Sequence, residues 1–176
     1  TVNSVQRLFY NIPINTYFSL DLDGISALND SVGGVDVVSP ETIGEFVEGE
    51  SYHLVGQQAE SFVRTRDTSK TDSNNMRMQR QKVYIQSFMN TVLQQTKKDL
   101  TTPIDLFNAS APYSCTNLNP SKVSYLAQQA VLGGMNGIDM VSVPGQVAMG
   151  SKYAEFNVSE AEFYQLFLSI YYTKIE

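Results

Sequence analysis

A chain of 176 residues, 42% of them apolar, is long enough for a hydrophobic core and too apolar to be intrinsically disordered. Its net charge of −6 argues against general nucleic-acid binding, and its single cysteine, Cys115, excludes an intramolecular disulfide or a cysteine-based metal cluster. No apolar run approaches the roughly 18 residues of a bilayer span, and no basic-then-apolar leader opens the sequence.

Val2, Val5, Leu8 and Phe9 recur at helical spacing from the first positions, so the chain reads as cut from something longer. That helix is expected to end near Tyr10, because Asn11 to Pro13 break it. Thr16 to Leu22, rich in aromatic and β-branched residues, predicts a strand. Asp23-Gly24 then turns into a short helix carrying Ile25, Leu28 and Val32, which Gly33-Gly34 stops before a second strand at Val35 to Val38. Strand, helix, strand with short connections is the grammar of a parallel or mixed sheet covered by helices.

Ser39 to Glu50 is an acidic surface loop, and Gly56 to Ser61 reads as a short helix. Asp67 to Asn75 has almost nothing apolar and predicts a loop. Met76 to about Thr96 is the longest helix, with Met78, Ile85, Met89 and Val92 as an apolar stripe widened by Tyr84, Phe88 and Leu93. A short helical piece follows Thr102-Pro103, then a helix from Pro120 to Val131 with Asn119 as N-cap. Val141 to Val143 and Glu155 to Val158 are expected strands. Ser159 and Glu162 form a capping box for a last helix bearing Phe163, Leu166, Phe167 and Ile170. No linker divides the chain, which reads as a single, partial domain over 1–176. Cys115, far in sequence from the only histidine, His53, is expected to be a buried or half-buried structural residue.

Charge is unevenly spread. Arg64, Arg66, Lys70, Arg77, Arg80 and Lys82 put six of the twelve basic residues in one short stretch. Only Asp67 and Asp72 oppose them, leaving +4 there and −10 elsewhere. A cationic focus on an acidic chain points to a compact anionic ligand. Arg64 and Arg66 share a face if their segment is extended. Arg77, Arg80 and Gln81 stack on one face in the first turns of the long helix, where backbone N–H groups also favour an anion. Guanidinium groups grip phosphate bidentately and keep their charge. The same face continues to Tyr84 and Phe88, so it grades from cationic to apolar and suits a ligand with a charged head and an apolar tail. The alternative is a solvated helix face with ordinary carboxylate partners. Composition and spacing leave both readings open.

The ordered set Leu54-Val55-Gly56-Gln57-Gln58-Ala59, Phe62-Val63-Arg64-Thr65-Arg66, Asp72 and Arg77-Met78-Gln79-Arg80-Gln81 resembles the carboxyl-terminal signature of the LytR-CpsA-Psr family. Asn11-Ile12-Pro13-Ile14-Asn15 with Tyr17 and Phe18, then Asp23-Gly24 and Gly33-Gly34-Val35-Asp36-Val37, is similar to that family in order and spacing. Thr116-Asn117-Leu118 and Val143-Pro144-Gly145 are weaker echoes. The resemblance implies an α/β (mixed α+β) fold, a central mixed sheet with helices on both faces, and a tunnel for a polyprenyl tail. It implies a phosphotransferase that moves anionic glycopolymers, of teichoic acid or capsular type, from a polyprenyl pyrophosphate carrier to peptidoglycan.

By the same resemblance Arg64, Arg66, Arg77 and Gln81 bind the pyrophosphate, with Arg80 the next candidate, as ligand or as a structural ion pair. Phe18, Leu28, Tyr84 and Phe88 are tunnel-lining candidates, each as readily a simple core residue. The family's magnesium-binding aspartates, catalytic aspartate and a further arginine precede the matched part. Asp21, Asp23 and Asp36 do not match those motifs, so the fragment is expected to hold no Mg2+ ligands and to be inactive alone. A membrane anchor preceding the fragment and a location on the extracellular face of the membrane are also implied. Other readings are hydrolysis of the lipid pyrophosphate and a non-catalytic polyprenyl-phosphate or polyanion-binding module. Family members have also carried a transcriptional attenuator label, which an acidic chain without a helix-turn-helix does not support.

Overall fold

The computed structural model describes residues 1–69, 73–151 and 154–173. In chain order the elements are α1 (Val2–Leu8), β1 (Phe18–Leu20), α2 (Gly24–Ser31), β2 (Val35–Val38), β3 (Ser51–Leu54), α3 (Gln57–Arg64) and α4 (Ser73–Lys98). Then come α5 (Thr102–Ser110), a 3-10 turn (Ala111–Tyr113), β4 (Ser114–Thr116), α6 (Pro120–Leu132), β5 (Gly145–Met149), β6 (Ala154–Val158) and α7 (Glu160–Tyr171). The fold is mixed α/β. It resolves into two compact units, Asn15–Asp139 and Thr1–Ile14 with the chain from Met140 onward.

Among the described residues the strands pair as three two-stranded antiparallel ladders, β1 with β4, β2 with β3 and β5 with β6. The strand–helix–strand run of β1, α2 and β2 therefore does not close into a parallel unit here. β1 and β2 take their partners, β4 and β3, from segments too short or too polar to announce themselves by alternation. Tyr52 and His53 lie in β3, which returns against β2 with Val35 opposite Leu54 and Val38 opposite Ser51. The three residues of β4 pair Thr116 with Phe18.

In the larger unit, β2 turns Val35 and Val37 inward and Asp36 and Val38 outward, as a pleated strand must. Ala59, Phe62 and Val63 form the buried stripe of α3 at i, i+3 and i+4. They join Val35, Val37, Phe46, Leu54 and Tyr84 in one core. Phe46 meets Phe62 edge-on at 5.0 Å between centroids. α3 runs through Arg64, so Arg64 belongs to a helical turn and Thr65 is the first extended residue after it. The shared-face argument for Arg64 and Arg66, which needs an extended segment, does not hold.

The inward face of α4 also differs from the expected stripe. Arg80, Tyr84, Leu93 and Thr96 are buried, while Met78 and Ile85 are 50% and 44% exposed. A charged residue takes the inward position because a carboxylate meets it there, which apolar periodicity cannot register. At α6 the Asn119 side chain accepts from the Lys122 N–H at 2.9 Å, and Pro120 follows, as the sequence predicts. Cys115 is exposed, not buried, because the β1–β4 ladder is too short to cover it. Lys70 and Asp72 lie outside the described residues.

The smaller unit packs Phe163 and Phe167 of α7 against Tyr10, with ring centroids 5.7 and 5.0 Å apart. The strand expected at Val141 to Val143 forms instead at β5, whose pairing starts just past Pro144. Proline has no N–H to give a ladder. Ser159 precedes α7, but its side chain makes no capping bond, so the expected capping box is not formed.

Candidate functional site

Between α2, α3, α4 and the start of β1–α2 lies a cavity of about 300 Å³ in the larger unit. Leu20, Leu22, Ile25 and Leu28 form one wall; Val63 and Arg64 come from α3, and Gln81, Tyr84, Ile85 and Phe88 from α4. Gln81, Tyr84, Ile85 and Phe88 face it because they recur at helical spacing. The seven steps from Gln81 to Phe88, at about 1.5 Å each, carry the wall about 10 Å along the helix axis. The polar groups, Arg64 and Gln81, lie side by side: the Gln81 amide donates to the Val63 carbonyl at 3.2 Å, which seats it against the last turn of α3. The cavity thus passes from one guanidinium and one amide to a surface of leucine, isoleucine and aromatic carbon.

Tyr84 is the most constrained of the wall residues. Its hydroxyl donates to Asn29 Oδ1 at 3.2 Å, and the Asn29 amide donates to the Leu54 carbonyl at 2.8 Å. The hydroxyl is thereby satisfied, leaving the ring to line the cavity. Burial, with the nearby Asp30 charge, pushes its phenol well above its ordinary range. It stays protonated at neutral pH and cannot act as a base. Phe88 stacks beyond it with ring planes 21° apart.

Of the other candidates, Arg64 is half exposed and pairs with Glu60 one turn back. Such an i,i+4 pair with a half-exposed arginine contributes only about 0.3–0.5 kcal/mol. Arg66 donates through Nε to Ser73 Oγ at 3.0 Å, joining the chain after α3 to the first turn of α4. Arg77 donates to Asn74 Oδ1 at 2.9 Å, and its buried Nε has no hydrogen-bond partner among the described residues. Neither Arg66 nor Arg77 is in the cavity wall.

Arg80 points the other way. It is completely buried, with Nε 2.8 Å from Glu41 Oε1 in the loop after β2, and it donates to the Thr65 carbonyl. Desolvation lowers its pKa, Glu41 opposes that, and the Arg77 charge adds to it. Arg80 is thus held in a structural ion pair and does not line the cavity. The structure brings Leu28, Tyr84 and Phe88 together in the cavity, while Phe18 sits on β1, 43% exposed and outside the wall. Sequence reasoning missed Glu41 and Asn29. Neither carries a motif, and only the third dimension sets them beside Arg80 and Tyr84.

A second, more open groove of about 440 Å³ lies over β2 and β3, with Asp36 and His53 on its rim. His53 Nδ1 is 2.7 Å from Asp36 Oδ1, and Nε2 is 3.1 Å from the Gly33 carbonyl oxygen. The Asp36 hydrogen bond raises the imidazole pKa above its ordinary 6.5. With both ring nitrogens occupied, His53 has no free position from which to activate a nucleophile.

The cavity is apolar along most of its wall, with Arg64 and Gln81 as its charged and amide residues, on a mixed α/β scaffold. The LytR_cpsA_psr family model matches residues 1–168, and the chain belongs to that family. A teichoic acid transferase of Bacillus cereus, TagU, is 28% identical over 152 residues, 82% of this chain and 47% of that protein. TagU of Bacillus anthracis is 39% identical over 62 residues, 33% of this chain and 20% of that protein. The chain therefore spans about half the length of the first relative and a fifth of the second. Among solved structures, B. subtilis TagV superposes with a TM-score of 0.72 at 22% identity, covering 98% of this chain and 70% of TagV. TagT bound to LI-WTA superposes with a TM-score of 0.69 at 14% identity, covering 97% of this chain and 64% of TagT. These two likenesses show the fold alone.

Proposed function

We propose that this chain is part of a transferase that attaches an anionic glycopolymer of the teichoic acid type to peptidoglycan, taking it from a polyprenyl pyrophosphate carrier. The observation that carries the reading is the cavity whose rim holds Arg64 and Gln81 and whose remaining wall is apolar. The full name of the TagU relatives, polyisoprenyl-teichoic acid–peptidoglycan teichoic acid transferase, describes a polyisoprenyl-linked teichoic acid for those proteins. On this reading the first isoprene units enter between Leu28, Tyr84, Ile85 and Phe88. The pyrophosphate sits at Arg64, where it displaces Glu60, with Arg66 and Arg77 supplying further positive charge.

These groups neutralise charge that builds on the phosphate oxygens while a sugar hydroxyl attacks, which is electrostatic and positional catalysis. Gln81 orients the head group with a neutral donor. The family resemblance also implies magnesium. Among the described residues no group of three or more His, Cys, Asp or Glu side chains comes together to hold a cation, so these residues do not fit the ion. The carrier is a membrane lipid, so the cavity works at the outer face of the membrane. No described helix is itself long and apolar enough to cross one.

The test is equilibrium binding of a long-chain polyprenyl pyrophosphate, with inorganic pyrophosphate as control. A charge-assisted hydrogen bond contributes about 1.5–3 kcal/mol, so Arg64→Ala and Arg77→Ala should each weaken lipid binding by about ten-fold or more. The tail adds about 0.8 kcal/mol per buried methylene, so inorganic pyrophosphate should bind far more weakly than the lipid. Equal affinities for the two ligands, or unchanged lipid affinity in both variants, refute the reading.

A further inference from the structure

We infer that Arg80 and Glu41 form a positioning device that sets the spacing of the site's cations, a proposal that rests on the pyrophosphate reading above. One guanidinium joins three segments: α4, which bears it; the loop after β2, through Glu41; and the end of α3, through the Thr65 carbonyl. Thr65 lies between Arg64 and Arg66, so that carbonyl is the covalent midpoint of two of the proposed ligands. One residue further along α4, Gln81 grips the Val63 carbonyl on the other side of Arg64. Two adjacent residues of α4 thus hold the backbone on both sides of Arg64. Arg77, one turn earlier on α4, is placed by the same helix.

The residue type bears on why the pair is there. Arg80 has no exposed surface and Glu41 is 7% exposed. Desolvating two charges costs several kcal/mol each, and apolar pairs of similar volume often leave a fold equally stable or more so. Stability alone therefore gives little reason for a buried ion pair here. Geometry does, because the planar fork of an arginine presents Nε to Glu41 and Nη2 to Thr65 in fixed relation. A lysine has one compact ammonium and cannot reproduce both contacts. Glu41 also balances Arg80, which would otherwise repel Arg77.

The experiment compares the 176-residue chain with the double variant Arg80→Met/Glu41→Leu and with Arg80→Lys. Farnesyl pyrophosphate and farnesyl monophosphate are the probes. A pyrophosphate must meet correctly spaced cations, whereas a monophosphate needs one of them, so the ratio of the two affinities reads the spacing. The wild type should prefer the pyrophosphate. The double variant, still melting cooperatively, should lose about ten-fold in that ratio while keeping its monophosphate affinity within about two-fold. Arg80→Lys should lose the ratio as well, and it decides the question if the double variant does not fold. A preserved ratio in the folded variant overturns the positioning role alone. A wild type that binds neither probe overturns the site reading and this proposal with it.

Discussion

Replacing Asn29 by alanine should loosen the wall of the cavity and destabilise the chain by an amount set chiefly by its two fully buried hydrogen bonds. Asn29 is fully buried in α2, where it accepts from the Tyr84 hydroxyl and donates to the Leu54 carbonyl. Losing the acceptor strands a buried hydroxyl at a cost of about 1–3 kcal/mol, and losing the amide bond adds about 0.5–1.5 kcal/mol. For a chain of this length, a total of roughly 1.5–4.5 kcal/mol lowers Tm by about 3–18 °C. Urea melts with an unchanged m-value give the free energy directly. The decisive comparison is a double-mutant cycle. In a Tyr84→Phe background no hydroxyl is left to strand, so Asn29→Ala should cost about 1–3 kcal/mol less than it does in the wild type. Equal costs in the two backgrounds would show that the asparagine does not hold the tyrosine, and the account of the cavity wall would fail.

Two further outcomes concern the turn before β2. His53 has its pKa raised by Asp36, so the protonated form favours the folded state; the stabilisation is full below the ordinary value of 6.5 and is lost as pH rises through the raised value. Wild type should melt above His53→Gln at pH 5.5, with the gap closing toward alkaline pH; a gap independent of pH contradicts the pairing. Gly34 has φ +96°, and a Cβ there would come within 2.4 Å of His53 Nε2, whereas Gly33, at φ +80°, has open space. Backbone strain of about 1–3 kcal/mol applies to alanine at either position, so Gly34→Ala should be the more destabilising in denaturant melts and should also weaken the pH dependence. Equal losses at the two glycines would remove the steric contact from the explanation.

What the sequence disclosed divides along the range of the interactions involved. β2 was legible because Gly33-Gly34 and the alternation of Val35 and Val37 are local signals. So were α6, through Asn119 and Pro120, and the run from Gln81 to Phe88, because helical spacing alone aligns those residues. The β3 and β4 strands were not legible. Three or four residues carry too little alternation, and their partners come from segments up to about a hundred residues away. The buried face of α4 was misread for a related reason. Arg80 is inward because Glu41 meets it, and no pattern within α4 records a carboxylate 39 positions earlier.

That distinction decides which parts of the site a motif can identify. Arg64, Arg77 and Gln81 stand in the motif as chemical types, yet their three-dimensional placements are unlike one another. Arg64 is placed by the helical extension of α3, which also gives it Glu60 as a local partner. Gln81 is placed by its bond to the backbone just before Arg64. Arg80, identical in type to Arg64 and Arg77, is turned from the adjacent Gln81 by roughly 100° of helical rotation and is drawn inward by a buried acid. Residue type therefore indicates that a segment is cationic, while the burial of its partners determines which cations a ligand can reach. For this chain, Glu41 and Asn29 make that selection: one draws an arginine into the core, and the other draws a tyrosine hydroxyl away from the cavity. The surface left between them is a half-exposed guanidinium and an amide beside an apolar wall.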